Sequence, residues 1–283
     1  FLYLPSEIHR MDGNFMHSNV KDKDGFGLTV GYGYTPSKNF YSGIGIKYYD
    51  ERLDLNDMGY LILNDRFMLN GRTQFKRTTF QEGSVLRSRL FEIGYGSKFN
   101  VDSERESSNF ALKLENNFVN LSEIKAEVFY RSTGRNTRIT RGSKFAPFIK
   151  MPKGMGGYID FTGPRRPTYV YGLRFERGRG SEHSPELGWG TKSRGYLKYM
   201  PTDTLSFSLM YQHQRENEWL NWYGDNLLAT FQRKQRTSVV EMEWFRNNIH
   251  ELRIKAQMVA FTGREPQSCL LYTSDAADDS LRV

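Results

Sequence analysis

From Phe26 to Tyr34 the chain reads FGLTVGYGY. Phe26, Leu28, Val30, Tyr32 and Tyr34 occupy one set of alternate positions, and Gly27, Thr29, Gly31 and Gly33 the other. Successive side chains of an extended chain point to opposite faces, so this is the period of a strand with one apolar face. The period returns in LSFSLMY (205–211), where Leu205, Phe207, Leu209 and Tyr211 oppose Ser206, Ser208 and Met210. Tyr169, Tyr171, Leu173 and Phe175 likewise oppose Val170, Gly172, Arg174 and Glu176. Leu252, Ile254, Ala256 and Met258 oppose Arg253, Lys255 and Gln257, and segments 110–115, 124–131 and 240–245 read the same way. No long stretch keeps a 3.6-residue period, so amphipathic helices are not predicted.

Strand criteria give about thirteen candidates. They lie near 12–19, 25–35, 40–51, 62–80, 85–101, 109–118, 124–133, 157–163, 168–178, 190–200, 204–214, 227–245 and 250–262. Many exceed the roughly five or six residues usual in soluble sheets. Short turns at TPSKN (35–39), FQEGS (80–84), NLSEI (120–124), GPRRP (163–167), MPTDT (200–204) and RNNIH (246–250) alternate with longer polar connections near 52–61, 102–108, 134–156, 179–189 and 215–226. Tight turns at one end and long loops at the other are the asymmetry of a transmembrane barrel.

Alternation does not say where the apolar face points. In a sandwich it points into a core, and in an outer-membrane barrel it points to lipid. The polar positions favour lipid, because they carry mid-strand charges: Lys113, Glu115, Lys125, Glu127, Arg174, Glu176, Glu241, Glu243, Arg253 and Lys255. These ten are the expected lumen-lining residues. The strands are long enough to cross a bilayer at a tilt, which takes about 9 to 11 residues. Tyr and Phe recur toward their ends, as an interfacial girdle requires. The expected fold is all-β: an antiparallel up-and-down transmembrane β-barrel, truncated at both ends in this stretch.

Composition adjusts this picture in two places. The chain is 14% aromatic and carries a formal charge of +8. Its Lys and Arg are interleaved with Glu and form no basic block, so nucleic acid is not an expected partner. No apolar run approaches the roughly 18 to 20 residues of a transmembrane helix. Position 1 is Phe and no secretory signal is visible, so targeting is not read directly.

Candidate chemistry is sparse. The glycines of GFGLTVGYG are not followed by a helix, so they read as small residues packed inside a barrel rather than a dinucleotide fingerprint. His183, with Glu182 and Glu186, reads as a solvated loop. Asp54, Asn56, Asp57, Gly59, Asn64 and Asp65 offer oxygen ligands but match no EF-hand spacing, and a turn is the simpler reading. In RENEWLNWY (215–223), Trp219, Trp222 and Tyr223 are candidates for stacking on sugar rings or for anchoring at the membrane interface, with anchoring preferred. No acid–base pair or nucleophile arrangement can be assigned, so no catalytic residue, metal or cofactor is expected and the stretch reads as non-enzymatic.

Three stretches carry a family resemblance: LNDMGYLILND (55–65), TRITRG (137–142) and LLATFQRKQRTSVVEMEWFRNNIHELRIKAQMVAF (227–261). Together they resemble a family of outer-membrane barrels, frequent in Bacteroidetes and Proteobacteria, whose barrel follows a periplasmic carbohydrate-binding module of the family-nine type. The barrel itself is a domain of unknown function. The resemblance spans most of 12–262 and departs at Ile62-Leu63, where the family often has Arg or Gln. It implies the outer membrane of a Gram-negative bacterium as location, outer-membrane lipid and oligosaccharide as partners, and a role as anchor or conduit in carbohydrate binding or uptake. Some members bear glycan-hydrolase names, which leaves an enzyme lacking its catalytic or sugar-binding part as the rival, beside a soluble β-sandwich lectin.

The alternation stops before SCLLYTSDAADDSLRV (268–283), which holds Cys269, the only cysteine. Residues from Cys269 onward resemble a translated transposon-end sequencing adapter. The expected division is therefore a partial barrel over 1–267 and an adapter artefact over 268–283. The tail's Asp275, Asp278 and Asp279 outweigh Arg282, so the remainder is more basic than the whole.

Overall fold

The computed structural model describes residues 1–20, 22–55, 64–100, 105–136, 148–179, 187–224, 227–246 and 250–270. They form strands throughout, with no helix among the described residues. In chain order the strands are β1 (Leu2–Ser6), β2 (His9–Val20), β3 (Lys23–Ser37), β4 (Phe40–Tyr49), β5 (Arg66–Arg77), β6 (Leu86–Phe99), β7 (Arg105–Phe118) and β8 (Glu123–Arg131). Then come β9 (Gly134–Asn136), β10 (Ile149–Met151), β11 (Gly154–Thr162), β12 (Tyr169–Arg179), β13 (Gly190–Thr202), β14 (Leu205–Gly224), β15 (Leu227–Phe245) and β16 (Glu251–Leu270).

Fourteen of these make one sheet in the order β1 to β8, then β11 to β16, with β9 and β10 as a separate ribbon. Neighbours along the main sheet pair antiparallel, so the architecture is an all-β up-and-down meander. β1 and β16 are its two edges and do not pair with each other.

Three expectations about the elements are corrected. β1 and the β9–β10 ribbon were not anticipated. Of the polar connection expected at 215–226, residues 215–224 are strand instead, since β14 runs to Gly224. The link from β2 to β3 is likewise tight, with Asp22 at φ 58°, so long connections do not fall at every second position. Asp tolerates this left-handed conformation because its side chain bonds locally. The remaining long connections, 50–65, 100–104, 132–153 and 180–189, all lie at one end of the sheet.

The two faces differ as alternation requires. One face carries apolar rows in register across strands, such as Tyr171, Leu197, Leu209, Val240 and Ala256. These rows are not a core: Leu173 is 62% exposed, Leu209 50% and Val240 52%. Gly71 on this face lies directly opposite Tyr95 in register, and the Tyr95 ring covers it. An aromatic over a strand glycine shields backbone that lacks a side chain of its own.

Among the described residues the most deeply buried apolar side chain is Leu53, 1% exposed, in the first long connection. It folds onto β3 where Gly25 and Gly27 leave room. A Cβ at Gly27 would stand 2.8 Å from Leu53 Cδ2, and one at Gly25 would collide with the backbone of Arg52 and Leu53. The backbone N–H of Asp54 donates to Ser18 Oγ at 2.9 Å, pinning the segment to β2. A second apolar cluster forms where Ile149 and Met151 of β10 meet Leu220, Leu228 and Leu187. The β9–β10 ribbon therefore reaches past β12 and β13 to the long β14–β15 hairpin.

Candidate functional site: the polar face

The second face is a polar surface built one residue per strand. Gln74, Glu92, Lys113, Glu127, Tyr158 and Glu176 stand side by side from β5 to β12. The row continues through Lys192, Gln214 and Gln235 on β13 to β15. The next row places Glu115, Lys125, Asp160, Arg174 and Arg194 in register. Opposite charges thus face each other at Lys113–Glu127, Glu115–Lys125, Lys125–Asp160 and Asp160–Arg174, the arrangement that stabilises cross-strand pairs.

Side-chain geometry follows from that register. Arg174 reaches both Asp160 and Glu176 at 3.4 Å. Its guanidinium lies 3.7 Å from the centre of the Tyr158 ring, and the Tyr158 hydroxyl donates to Glu127 at 3.2 Å. Lys125 binds Glu123 at 2.7 Å, and Lys113 pairs with Glu115 at 3.6 Å. A separate group gathers on Glu243, which takes Lys198 at 3.0 Å, Arg253 at 3.7 Å and the Ser206 hydroxyl at 3.2 Å. Apart from the exposed Arg253 these side chains are half-buried, and such pairs are individually weak.

Toward the end with long connections the face becomes drier. Both carboxylate oxygens of Glu106 accept from Arg66 Nη2, at 3.1 and 3.0 Å. Glu216 pairs with Arg233, its register partner, with side chains only 3% and 16% exposed. Arg131, 6% exposed, has no hydrogen-bond partner for Nε and Nη2 among the described residues.

All ten expected lining residues lie on this face. The structure joins Lys113 to Glu115, Arg174 to Glu176, and Glu243 to Arg253 as ion pairs. It sets Glu241 opposite Lys255, and Glu127 opposite Lys113, in register. Tyr158, Asp160, Lys198, Arg66, Glu106, Glu216 and Arg233 belong to the same surface and were not singled out. Asp160 alternates with Ile159 and Phe161 and was legible by the same period; the buried pairs had no such signal.

Trp219 is part of β14, half-buried between Phe231 and Phe261, with the Arg233 guanidinium 4.8 Å from its ring. Trp222 and Tyr223 belong to the same strand, and their side chains lie outside the described residues. So do Glu182, His183, Glu186, Asn56, Asp57 and Gly59. Asn64 donates to the Glu51 carbonyl at 2.5 Å, as a turn-closing residue does. Among the described residues no three His, Cys, Asp or Glu side chains stand close enough to hold a metal ion.

Near the tight-turn end a recess of about 400 Å³ opens among Tyr196, Lys198, Ser208, Met210 and Glu241. Its lining is mainly apolar, with Val170, Leu197, Met200 and Leu209 beside Tyr196, Lys198, Ser208 and Glu241. No protein-family model matches the chain, and no curated protein matches it.

Proposed function

We propose that this chain is part of an outer-membrane β-barrel of a Gram-negative bacterium, acting as anchor or conduit in carbohydrate binding or uptake at the cell surface. The observation that carries the membrane part is the outward apolar belt. Ile159, Leu173, Phe175, Leu209, Val240, Ile254 and Met258 are each between 50% and 64% exposed. Apolar area of that continuity in water would drive association, whereas hydrocarbon accepts it. The opposite face is charged, so the polarity is that of a barrel with a wet lumen. Backbone in a bilayer must satisfy its hydrogen bonds internally, so the working form is a closed barrel. A lectin sandwich would place the apolar rows inward against a second sheet, and among the described residues none covers them.

The carbohydrate part rests on the family resemblance and on the chemistry of the polar face. Its side-by-side carboxylates, cations and hydroxyls suit a hydroxyl-rich, uncharged solute, and the recess at Tyr196 offers a ring face beside polar partners.

The test is the full-length protein expressed with its own signal. A heat-sensitive gel shift in the outer-membrane fraction, with oligosaccharide permeation in a liposome-swelling assay, is the expected result. A water-soluble product with no shift would overturn the reading.

A further inference from the structure

Above the apolar belt, at the end with long connections, the outward face changes character. One register row there reads Arg177, Thr191, Arg215, Lys234 and Thr262 across β12 to β16. The row beneath it reads Phe175, Ser193, His213, Arg236 and Ala260. Neither row contains an acidic residue. Arg177, Arg215, Lys234 and Arg236 are exposed, and none has a carboxylate partner among the described residues. This contrasts with the inner face, where cations and carboxylates stand in the same rows.

Arg215 and Lys234 are direct cross-strand partners, as are His213 and Arg236. Like charges in direct opposition destabilise a strand pair, so the Arg215–Lys234 pairing carries a cost that an anionic ligand would remove. With strands about 4.8 Å apart, the upper row from Arg177 to Lys234 spans roughly 14 Å. Arg and Lys donate to phosphate oxygens, Arg in a two-pronged fork, and Thr191 and Ser193 add hydroxyls between them. Trp189, 39% exposed, lies beside Arg177 and Arg179, with the guanidinium groups 5.4 and 5.7 Å from its ring. An amphipathic ring at this level marks the boundary between hydrocarbon and headgroups.

We infer that this basic band binds the phosphate groups of the glycolipid in the outer leaflet. The inference rests on the apolar belt facing lipid. The lipid supplies two matched contacts at once: acyl chains against Leu173, Leu209 and Val240, and phosphates against the row above. A free phosphate would meet only the second.

The test uses the full-length protein, heat-modifiable on a gel, in phosphatidylcholine bicelles titrated with bisphosphorylated lipid A. Binding is read from the rise in unfolding temperature. The triple variant R215Q/K234Q/R236Q, which relieves like-charge repulsion and keeps the strand pattern, is expected to lose affinity on the order of a hundredfold. The single variant R236Q is expected to lose about fivefold, and R215K to bind nearly as the parent. A folded triple variant that binds lipid A as the parent does would overturn the inference alone. Inorganic phosphate producing the same temperature rise at equal phosphate concentration would overturn the lipid as the ligand. A soluble protein without a gel shift would overturn the barrel reading and this inference with it.

Discussion

The guanidinium of Arg174 stacks on the ring of Tyr158, one strand away and diagonal in register, with 3.7 Å between cation and ring centre. Tyr158 faces Glu176 and Arg174 faces Asp160, so the arginine lies between two carboxylates and an aromatic face. Replacing Arg174 by Met should cost about 1–2 kcal/mol, by losing a cation–π contact and its ion pairs with Asp160 and Glu176. Lys should restore only part of it, because an ammonium neither stacks flat nor bridges two partners. Urea unfolding in lipid vesicles, followed by tryptophan fluorescence, measures both. A Lys variant as stable as the parent would show that charge alone matters there.

Glu216 and Arg233 form a drier pair. Removing one partner leaves a buried uncompensated charge, so Glu216→Leu should destabilise by roughly 3 kcal/mol. The double variant E216L/R233M should recover most of that loss. A double variant no better than the single would mean that the long hairpin needs the ion pair for its geometry.

The two faces can be separated by one substitution type placed two ways. Leu209→Arg puts a cation among the outward apolar rows and should lower folding stability in vesicles by about 2–4 kcal/mol. Met210→Arg puts the same side chain on the polar face, beside Tyr196 and Val239, and should cost under about 1 kcal/mol. Equal costs at the two positions would contradict a lipid-facing belt.

Leu53 tests the inward fold of the first long connection. Leu53→Ala should destabilise by about 2–4 kcal/mol through the space it leaves. Gly27→Val should expel the same side chain from the other direction, since even a Cβ there would sit 2.8 Å from it. Both variants should speed tryptic cleavage at the exposed Arg52. Unchanged cleavage in both would mean that Leu53 does not hold the segment.

Much of this was legible because a two-residue period survives wherever a strand separates two solvents. Lys113, Glu115, Lys125 and Glu127 were placed on the polar face from alternation alone, and the structure has them there. The same signal fails where bulges shift the register, as between Glu216 and Trp219 and between Trp222 and Gly224. Residues 215–224 of β14, RENEWLNWYG, have no apolar stripe and read as a loop, yet the backbone pairs with β15 along most of that length. Leu53 was hidden for the opposite reason, as a single apolar residue in a polar connection. The basic band was hidden because its members are far apart in sequence, and the register that lines up Arg177, Arg215 and Lys234 is a property of the sheet.

The alternation of sign along the polar rows has an electrical meaning. Where cation and anion alternate one strand spacing apart, as from Glu115 through Lys125 and Asp160 to Arg174, the fields largely cancel, and in the proposed barrel little potential would reach the centre of the lumen. The excess positive charge of the outward band lies on the other side of the wall. A solute moving along such an interior meets local dipoles and no far field, so its hydroxyls would govern its passage more than the sign of its charge.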